Sequence, residues 1–307
     1  ESIAGFHIHR GVLAAGVRPS VADLASAPFI DSLPARGPCV VLAAAGITNV
    51  DNMGGLFRVA AAFGAYIIWG FLPLYLILVQ TVPAFEFVGW RIIWTLPLCL
   101  LIALFRKQGG ELRAALGNRR TVGWLALSAS LIAVNWVVYV WAIQTGEVYA
   151  ASLGYYINPL VNVLLGTALL GERLTRPQWL AVGIAAVGVS LLAAGAVTTL
   201  WISLTLALTF GTYGLIRKRV VVGSVPGLTI ESLLLLLPSI GVVWYYAQTQ
   251  GSSFAVSTEL SLSIVLGGVL TAVPLLMFAI AARKLPYSML GFIQFLAPSI
   301  VFILGLT

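Results

Sequence analysis

Between Phe57 and Leu306 the sequence runs through nine apolar segments, each close to the twenty residues an α-helix needs to cross the ~30 Å hydrocarbon layer of a bilayer. They lie near Phe57–Gln80, Ala84–Phe105, Val122–Ile143, Ala150–Leu170, Trp179–Ala196, Leu200–Ile216, Leu228–Ala247, Leu260–Ala282 and Tyr287–Leu306. A soluble core has no room for nine such segments. Only 9% of the residues are charged, against roughly 25% in soluble domains. In hydrocarbon the backbone must satisfy its own hydrogen bonds, so spanning segments are helices or closed barrels. Barrel strands alternate apolar and polar residues, whereas these runs are apolar throughout, so the expected fold is an all-α polytopic helical bundle.

The basic residues set the orientation. Arg106, Lys107, Arg113, Arg119 and Arg120 separate the second and third segments, and Arg173 and Arg176 the fourth and fifth. Arg217, Lys218 and Arg219 follow the sixth, and Arg283 and Lys284 the eighth. The other connections, after the first, third, fifth and seventh segments, contain no Lys or Arg. All the capping charges therefore fall at one end. The positive-inside rule makes that end cytoplasmic and predicts a cytoplasmic N-terminus. A net charge of +7 arranged as short helix caps does not suggest nucleic-acid binding.

Residues 1–57 read differently: Pro19, Pro28, Pro34 and Pro38 are scattered among charges and glycines, and the order of a signal peptide is missing. The expectation is a flexible cytoplasmic extension. His7 and His9 sit in that tail and do not make a metal site. Cys99, inside an apolar run, reads as a small buried hydrophobe. No HExxH, GxSxG or Walker sequence occurs, so no catalytic residue, cofactor or metal is expected. Uphill movement of a solute would then draw on an ion gradient or on exchange.

The runs also repeat. Pro159 and Gly166 in the fourth segment correspond to Pro298 and Gly305 in the ninth. Leu153-Gly154 and Leu290-Gly291 precede them with a small offset, and Trp69-Gly70 is matched by Tyr213-Gly214. Five helices per copy is an odd number, so the copies would enter the membrane in opposite senses, as in many secondary transporters. The expected division is 58–197 for the first copy and 198–307 for the second, which lacks its fifth helix; ten spans are expected in the intact protein.

Polar groups within the apolar runs are the candidate functional residues. A charge inside a span costs several kcal/mol unless it snorkels or finds a partner. Arg91 therefore reads either as an anion contact at a cavity or as a side chain reaching the headgroups, with Glu86 or Glu147 as candidate partners. Glu231 reads as a proton-coupling group or as a partner of Arg217–Arg219. Asn135, Asn158, Asn162 and Gln294 line a solute path or join helices, and such bonds contribute roughly 0.6–2 kcal/mol. Asn158 and Asn162 share one helix face with spacing i,i+4. Tyr155 joins them. Trp69, Trp90, Trp94 and Trp136 read as pocket walls, and Trp124, Trp179 and Trp201 as interfacial anchors. Pro73, Pro159 and Pro298 are hinge candidates, because each leaves a helix carbonyl without its donor.

Several strings are shared with a known family. WGFLPLY at Trp69–Tyr75, EFVGWRIIW at Glu86–Trp94, NWVVYVWAI from Asn135, SLGYYINPLVNVLLG, LLGERLTRPQW, TFGTYGLIRK, TIESLLLLLP and LGFIQFLAPS make the chain resemble, from about residue 58 onward, the RarD-type permeases of the drug/metabolite transporter superfamily, which carry EamA-like repeats. The resemblance implies ten helices in two inverted five-helix repeats, residence in the bacterial inner membrane, and transport of a small organic solute or drug, with a link to chloramphenicol sensitivity or resistance. It carries Arg91, Asn135, Tyr155, Asn158 and Gln294 over as polar positions. The expected function is a secondary transporter working by alternating access; the competing readings are a channel and a non-transporting membrane scaffold or sensor. The expected partners are the lipid bilayer, a small-molecule solute and a coupled proton or counter-solute, with no nucleic acid. A homodimer is compatible with this reading.

Overall fold

A computed structural model describes residues 50–305. Within that range every regular element is a helix. The helices are α1 (Val50–Leu78), α2 (Ala84–Phe105), α3 (Gly109–Gly117), α4 (Arg119–Gln144), α5 (Val148–Leu170), α6 (Arg176–Ala194), α7 (Leu200–Arg219), α8 (Ser224–Thr249), α9 (Thr258–Lys284), α10 (Tyr287–Gln294) and α11 (Leu296–Gly305). A single 3-10 turn, Val197–Thr199, leads into α7. Eight of these helices are long and apolar enough to cross a bilayer. The start of the first span lies upstream of the expected Phe57, at Val50. The expected extension, with His7 and His9, otherwise lies outside the described residues.

The helix boundaries follow local chemistry. Asn118 accepts from the Thr121 amide at 3.1 Å and starts α4. Thr175 and Gln178 form a capping box, with Pro177 in the first turn of α6. Ser257 accepts from the Leu260 amide at 3.1 Å and starts α9. Gly171 ends α5 in the left-handed conformation, φ 68°, which glycine adopts without steric cost. The basic residues cap helix ends. Lys218 donates to the Ala282 and Leu285 carbonyls, Arg217 to that of Ser224 at 3.1 Å, Arg219 to that of Leu169 at 2.5 Å, and Arg283 to that of Val222. These bonds tie the basic connections to one another at one end of the bundle. At the other end Gln144 donates to the Val82 carbonyl at 2.7 Å, and Glu86 accepts from Ser253, which joins the base-free connections. The charge alternation read from the sequence is thus a spatial segregation.

One segment differs from its expectation. The ninth run is two short helices, α10 and α11, separated at Phe295, where a continuous span was expected. Pro298 has no N–H to donate to the Gln294 carbonyl, and its ring crowds that position, so the helix stops there. Pro73 and Pro159 lie inside unbroken helices. Of the matched pair of prolines, only Pro298 coincides with a break.

Burial is inverted relative to a soluble protein. Leu104, Phe105, Leu180, Leu191 and Leu237 are largely exposed, and α6 has no buried residue at all. Apolar exposure on this scale is a lipid-facing surface. Trp124, Trp179 and Trp201 are about half exposed near helix ends, as anchors should be. The interior brings together α2 with α8, α5 with α7, α1 with α9 and α11, α4 with α7, and α5 with α10. Glycines permit the closest approaches. A Cβ on Gly268 would lie 2.7 Å from the Trp94 backbone, and one on Gly291 would lie 2.8 Å from the Pro159 carbonyl oxygen.

Candidate functional site

Asn135 is buried on α4 and donates its amide nitrogen to the Leu206 carbonyl at 2.9 Å and to Thr209 Oγ1 at 3.0 Å, both on α7. On α5, one turn apart, Asn158 donates to the Ala207 carbonyl at 3.3 Å and Asn162 donates to Gln294 Oε1 at 2.7 Å. Gln294 closes α10, next to the break. These amide nitrogens join the two halves of the chain, while the Oδ1 atoms of Asn158 and Asn162 are buried without a hydrogen-bond partner among the described residues.

Inside this frame lies a small cavity of about 30 Å³, lined by Tyr66, Trp69, Leu72, Arg91, Asn135, Trp136, Tyr139, Tyr155, Phe210, Gln294 and Ala297. By volume it admits little more than one water molecule. Seven helices contribute to it, from both halves of the chain. Five of the residues singled out by sequence meet here: Trp69, Arg91, Asn135, Tyr155 and Gln294. Trp136, read as a pocket wall, joins them. Asn158, Asn162 and Glu231 do not line the cavity; Asn162 reaches it only through Gln294. Trp90 and Trp94 pack instead on Phe254, with ring centroids 4.6 and 5.9 Å apart.

Arg91 is the one charged residue of the lining and is 5% exposed, so it does not snorkel. Its Nε donates to Thr271 Oγ1 at 2.9 Å, and Thr271 in turn donates to the Gly267 carbonyl at 2.6 Å. Its guanidinium carbon stands 5.1 Å from the Trp136 ring centroid and 5.5 Å from that of Phe87. Cation–π contacts of this kind are worth roughly 0.5–2 kcal/mol. They offset only part of the several kcal/mol that desolvating a guanidinium costs. No carboxylate pairs with Arg91 among the described residues. The expected Glu86 pairing is absent because Glu86 is occupied. Its carboxylate accepts from the Ser253 amide at 2.9 Å, the Ser253 hydroxyl at 2.7 Å and Trp90 Nε1 at 3.1 Å. The sequence reading missed Tyr66, Tyr139, Phe210 and the positioning residue Thr271. No local signal separates such residues from ordinary packing.

Glu231 lies elsewhere, on α8, fully buried. It accepts from the Ser128 hydroxyl at 2.5 Å and stands 3.6 Å from Arg217 Nη1. A Cβ on Gly227 would lie 2.0 Å from that Nη1, so this glycine makes room for the guanidinium.

A second carboxylate connection lies at the basic end. The left-handed turn at Gly171 directs Glu172 to the start of α10. There it accepts from the Tyr287 amide at 2.5 Å, the Ser288 amide at 2.8 Å and the Ser288 hydroxyl at 2.7 Å. Partial burial works to raise the pKa of this carboxyl. The hydrogen bonds from Ser288 and Tyr287 and the nearby Lys218 charge outweigh burial and hold it below the usual carboxylate value. Glu111 of α3 makes a related contact, accepting from the Gly223 amide at 2.5 Å.

An apolar helical bundle with capping charges at one end and a polar, aromatic cavity between its halves is a polytopic membrane transporter. Comparison with known proteins gives the family. Residues 56–194 match the EamA-like transporter family. An uncharacterized transporter of Pseudomonas aeruginosa is 47% identical over 240 residues, covering 77% of this chain and 80% of that protein. Protein RarD of Streptomyces exfoliatus is 43% identical, covering 79% of this chain and 78% of its own. Protein RarD of Escherichia coli is 38% identical, covering 81% and 84%. A solved crystal structure shares the fold, with a TM-score of 0.64 at 20% identity over 81% of this chain and 89% of that one. The chain belongs to the EamA/RarD family of drug/metabolite transporters. It is a multi-pass protein of the bacterial inner membrane and a secondary transporter for a small organic solute.

Proposed function

We propose that the protein carries its solute by alternating access through the Arg91 cavity, between two inverted repeats at 58–197 and 198–307. The helix packing supports this division. Exchanging α1, α2, α4 and α5 with α7, α8, α9 and α10–α11 turns the α1–α9 contact into α7–α4 and the α1–α11 contact into α7–α5. The α2–α8 and α5–α10 contacts map onto themselves. The basic end is assigned to the cytoplasm by the charge rule.

The observation that carries the reading is a solute-sized set of polar and aromatic groups around a cavity too small for a solute, closed at both ends by carboxylates that cross the repeats. At the base-free end Glu86 of the first repeat holds Ser253 of the second. At the basic end Glu172 of the first holds Tyr287 and Ser288 of the second. Opening toward one side requires breaking one set and keeping the other. Pro298, at the α10–α11 break, is the hinge that the geometry favours over Pro73 and Pro159. Asn158, Asn162 and Glu231 act in this reading as contacts between helices. Movement against a gradient draws on a proton or an exchanged solute.

Counterflow in proteoliposomes tests the reading. Saturable uptake of a labelled solute, driven by the same unlabelled solute inside, is expected. Conductance that does not saturate would identify a channel and overturn it.

A further inference from the structure

The chemistry of the transported solute is written into the cavity wall. Arg91 is held from one side only. Its Nε is committed to Thr271 Oγ1 at 2.9 Å, whereas its two terminal nitrogens make no hydrogen bond with the protein among the described residues. The guanidinium carbon lies within 5.5 Å of both the Phe87 and Trp136 ring centroids, and Thr271, which holds its Nε, is itself anchored to the Gly267 carbonyl at 2.6 Å. No acidic side chain pairs with it among the described residues. Glu86 holds Ser253, Glu172 holds the start of α10, and Glu231 is paired with Arg217 at 3.6 Å. The cavity therefore carries one fixed positive charge, a forked pair of donors, and walls of Trp69, Trp136, Tyr139 and Tyr155.

We propose that the solute is an organic monoanion whose carboxylate is held bidentately by the terminal nitrogens of Arg91, with an apolar or aromatic body against the surrounding rings. This deepens the reading of the cavity as the solute site and rests on it. A guanidinium fork matches a carboxylate in geometry and charge. A cationic solute would meet an uncompensated positive charge and no carboxylate. A neutral amide would recover one acceptor but not the charge. Because the cavity of about 30 Å³ holds no body of that size, binding requires the α10–α11 segment and its partners to move apart. The same ligand would then draw the helices together around it.

The test uses the full chain, purified in detergent and in liposomes. Isothermal titration measures binding of benzoate, phenylacetate and isovalerate, each beside its own amide and the corresponding amine, with chloride as a simple-ion control. The expected result is that at least one carboxylate binds while its amide binds about tenfold more weakly or not at all, the loss expected for a charge-assisted contact. The amine and chloride do not compete. Arg91→Gln, if folded by its melting profile, abolishes the preference for the carboxylate, and Arg91→Lys retains it at reduced affinity. Should both variants fail to fold, the wild-type comparison decides alone.

The proposal is overturned if no carboxylate binds more tightly than its amide, if chloride displaces the carboxylate at equal concentration, or if folded Arg91→Gln keeps the preference. Counterflow separates this from the carrier reading. Carboxylate binding without counterflow of that carboxylate leaves the anion site standing and removes the transport assignment. Counterflow of a neutral or cationic solute without carboxylate binding does the reverse.

Discussion

Arg91 Nε donates to Thr271 Oγ1 across 2.9 Å, joining α2 to α9 inside the bundle. This bond decides which nitrogens of the guanidinium face the cavity. With Nε fixed, the terminal nitrogens are left for the proposed carboxylate.

Replacing Thr271 with Val keeps the volume near constant and removes that orientation. A hydrogen bond to a charged group is worth about 1.5–3 kcal/mol. The expected outcome is an apparent transport affinity weakened by about tenfold or more, with the maximum rate changed less. Concentration-dependent counterflow measures both. An unchanged half-saturation concentration would show that Arg91 is oriented by something else.

Glu172 protects the Tyr287 and Ser288 amides at the start of α10. Glu172→Gln weakens two charge-assisted bonds, so hydrogen exchange at these two amides should accelerate, while exchange within α2 and α8 stays the same. Mass spectrometry of the peptide covering 286–291 reads it directly. Unaltered protection there would remove Glu172 from the closure at the basic end.

The same carboxylate has a pH signature. Its pKa in the folded protein lies below the ordinary carboxylate value, so the unfolded chain takes up the proton first as pH falls. The stability this group contributes is complete above the unfolded value of about 4.3. It is lost as pH drops through the lower, folded value. The difference in melting temperature between the wild type and Glu172→Gln should therefore shrink on acidification from about pH 6 to below about pH 4. A difference that grows on acidification would reverse the assigned sign.

Glu231 and Arg217 form a buried pair 3.6 Å apart. Removing one member leaves an uncompensated buried charge, at a cost of about 3–5 kcal/mol. Glu231→Gln is expected to destabilise strongly, and the double variant Glu231→Leu with Arg217→Leu to recover much of the loss. A double-mutant cycle on thermal melts measures the coupling. A stable Glu231→Gln protein whose uptake loses its response to an imposed pH gradient would instead make this residue the proton carrier.

Gly291 lets α10 lie on α5, since a Cβ there would stand 2.8 Å from the Pro159 carbonyl oxygen. Gly291→Leu should lower stability by about 1–3 kcal/mol, the usual cost of overpacking, and reduce transport by wedging apart the pair that carries Gln294. A melt and a counterflow rate check it.

Much of this was legible in the sequence, for physical reasons. Span length and the placement of Arg106, Arg173, Arg217 and Arg283 are local properties, and the bilayer converts them directly into topology. Arg91, Asn135 and Gln294 stood out because polar groups in hydrocarbon are costly. The partners were not legible. Glu86 and Ser253 are separated by 167 positions, and Glu172 and Ser288 by 116, so no window of sequence connects them. The spacing of Asn158 and Asn162 correctly implied one shared face. Periodicity does not name the neighbour of a face, and this one turns to α7 and α10 instead of the cavity. The break at Phe295 was hidden because Pro159, in the matching position, leaves its helix whole.

Alternating access requires the two ends of the bundle to open in turn. Spin labels at Val148 and Val256 report across the base-free end, and labels at Thr175 and Lys284 across the basic end, in separate samples reconstituted in liposomes. Double electron–electron resonance should show two distances for each pair, with a transported solute or pH shifting the two ends in opposite directions. Populations that lengthen together at both ends would describe an open pore, and would contradict the account.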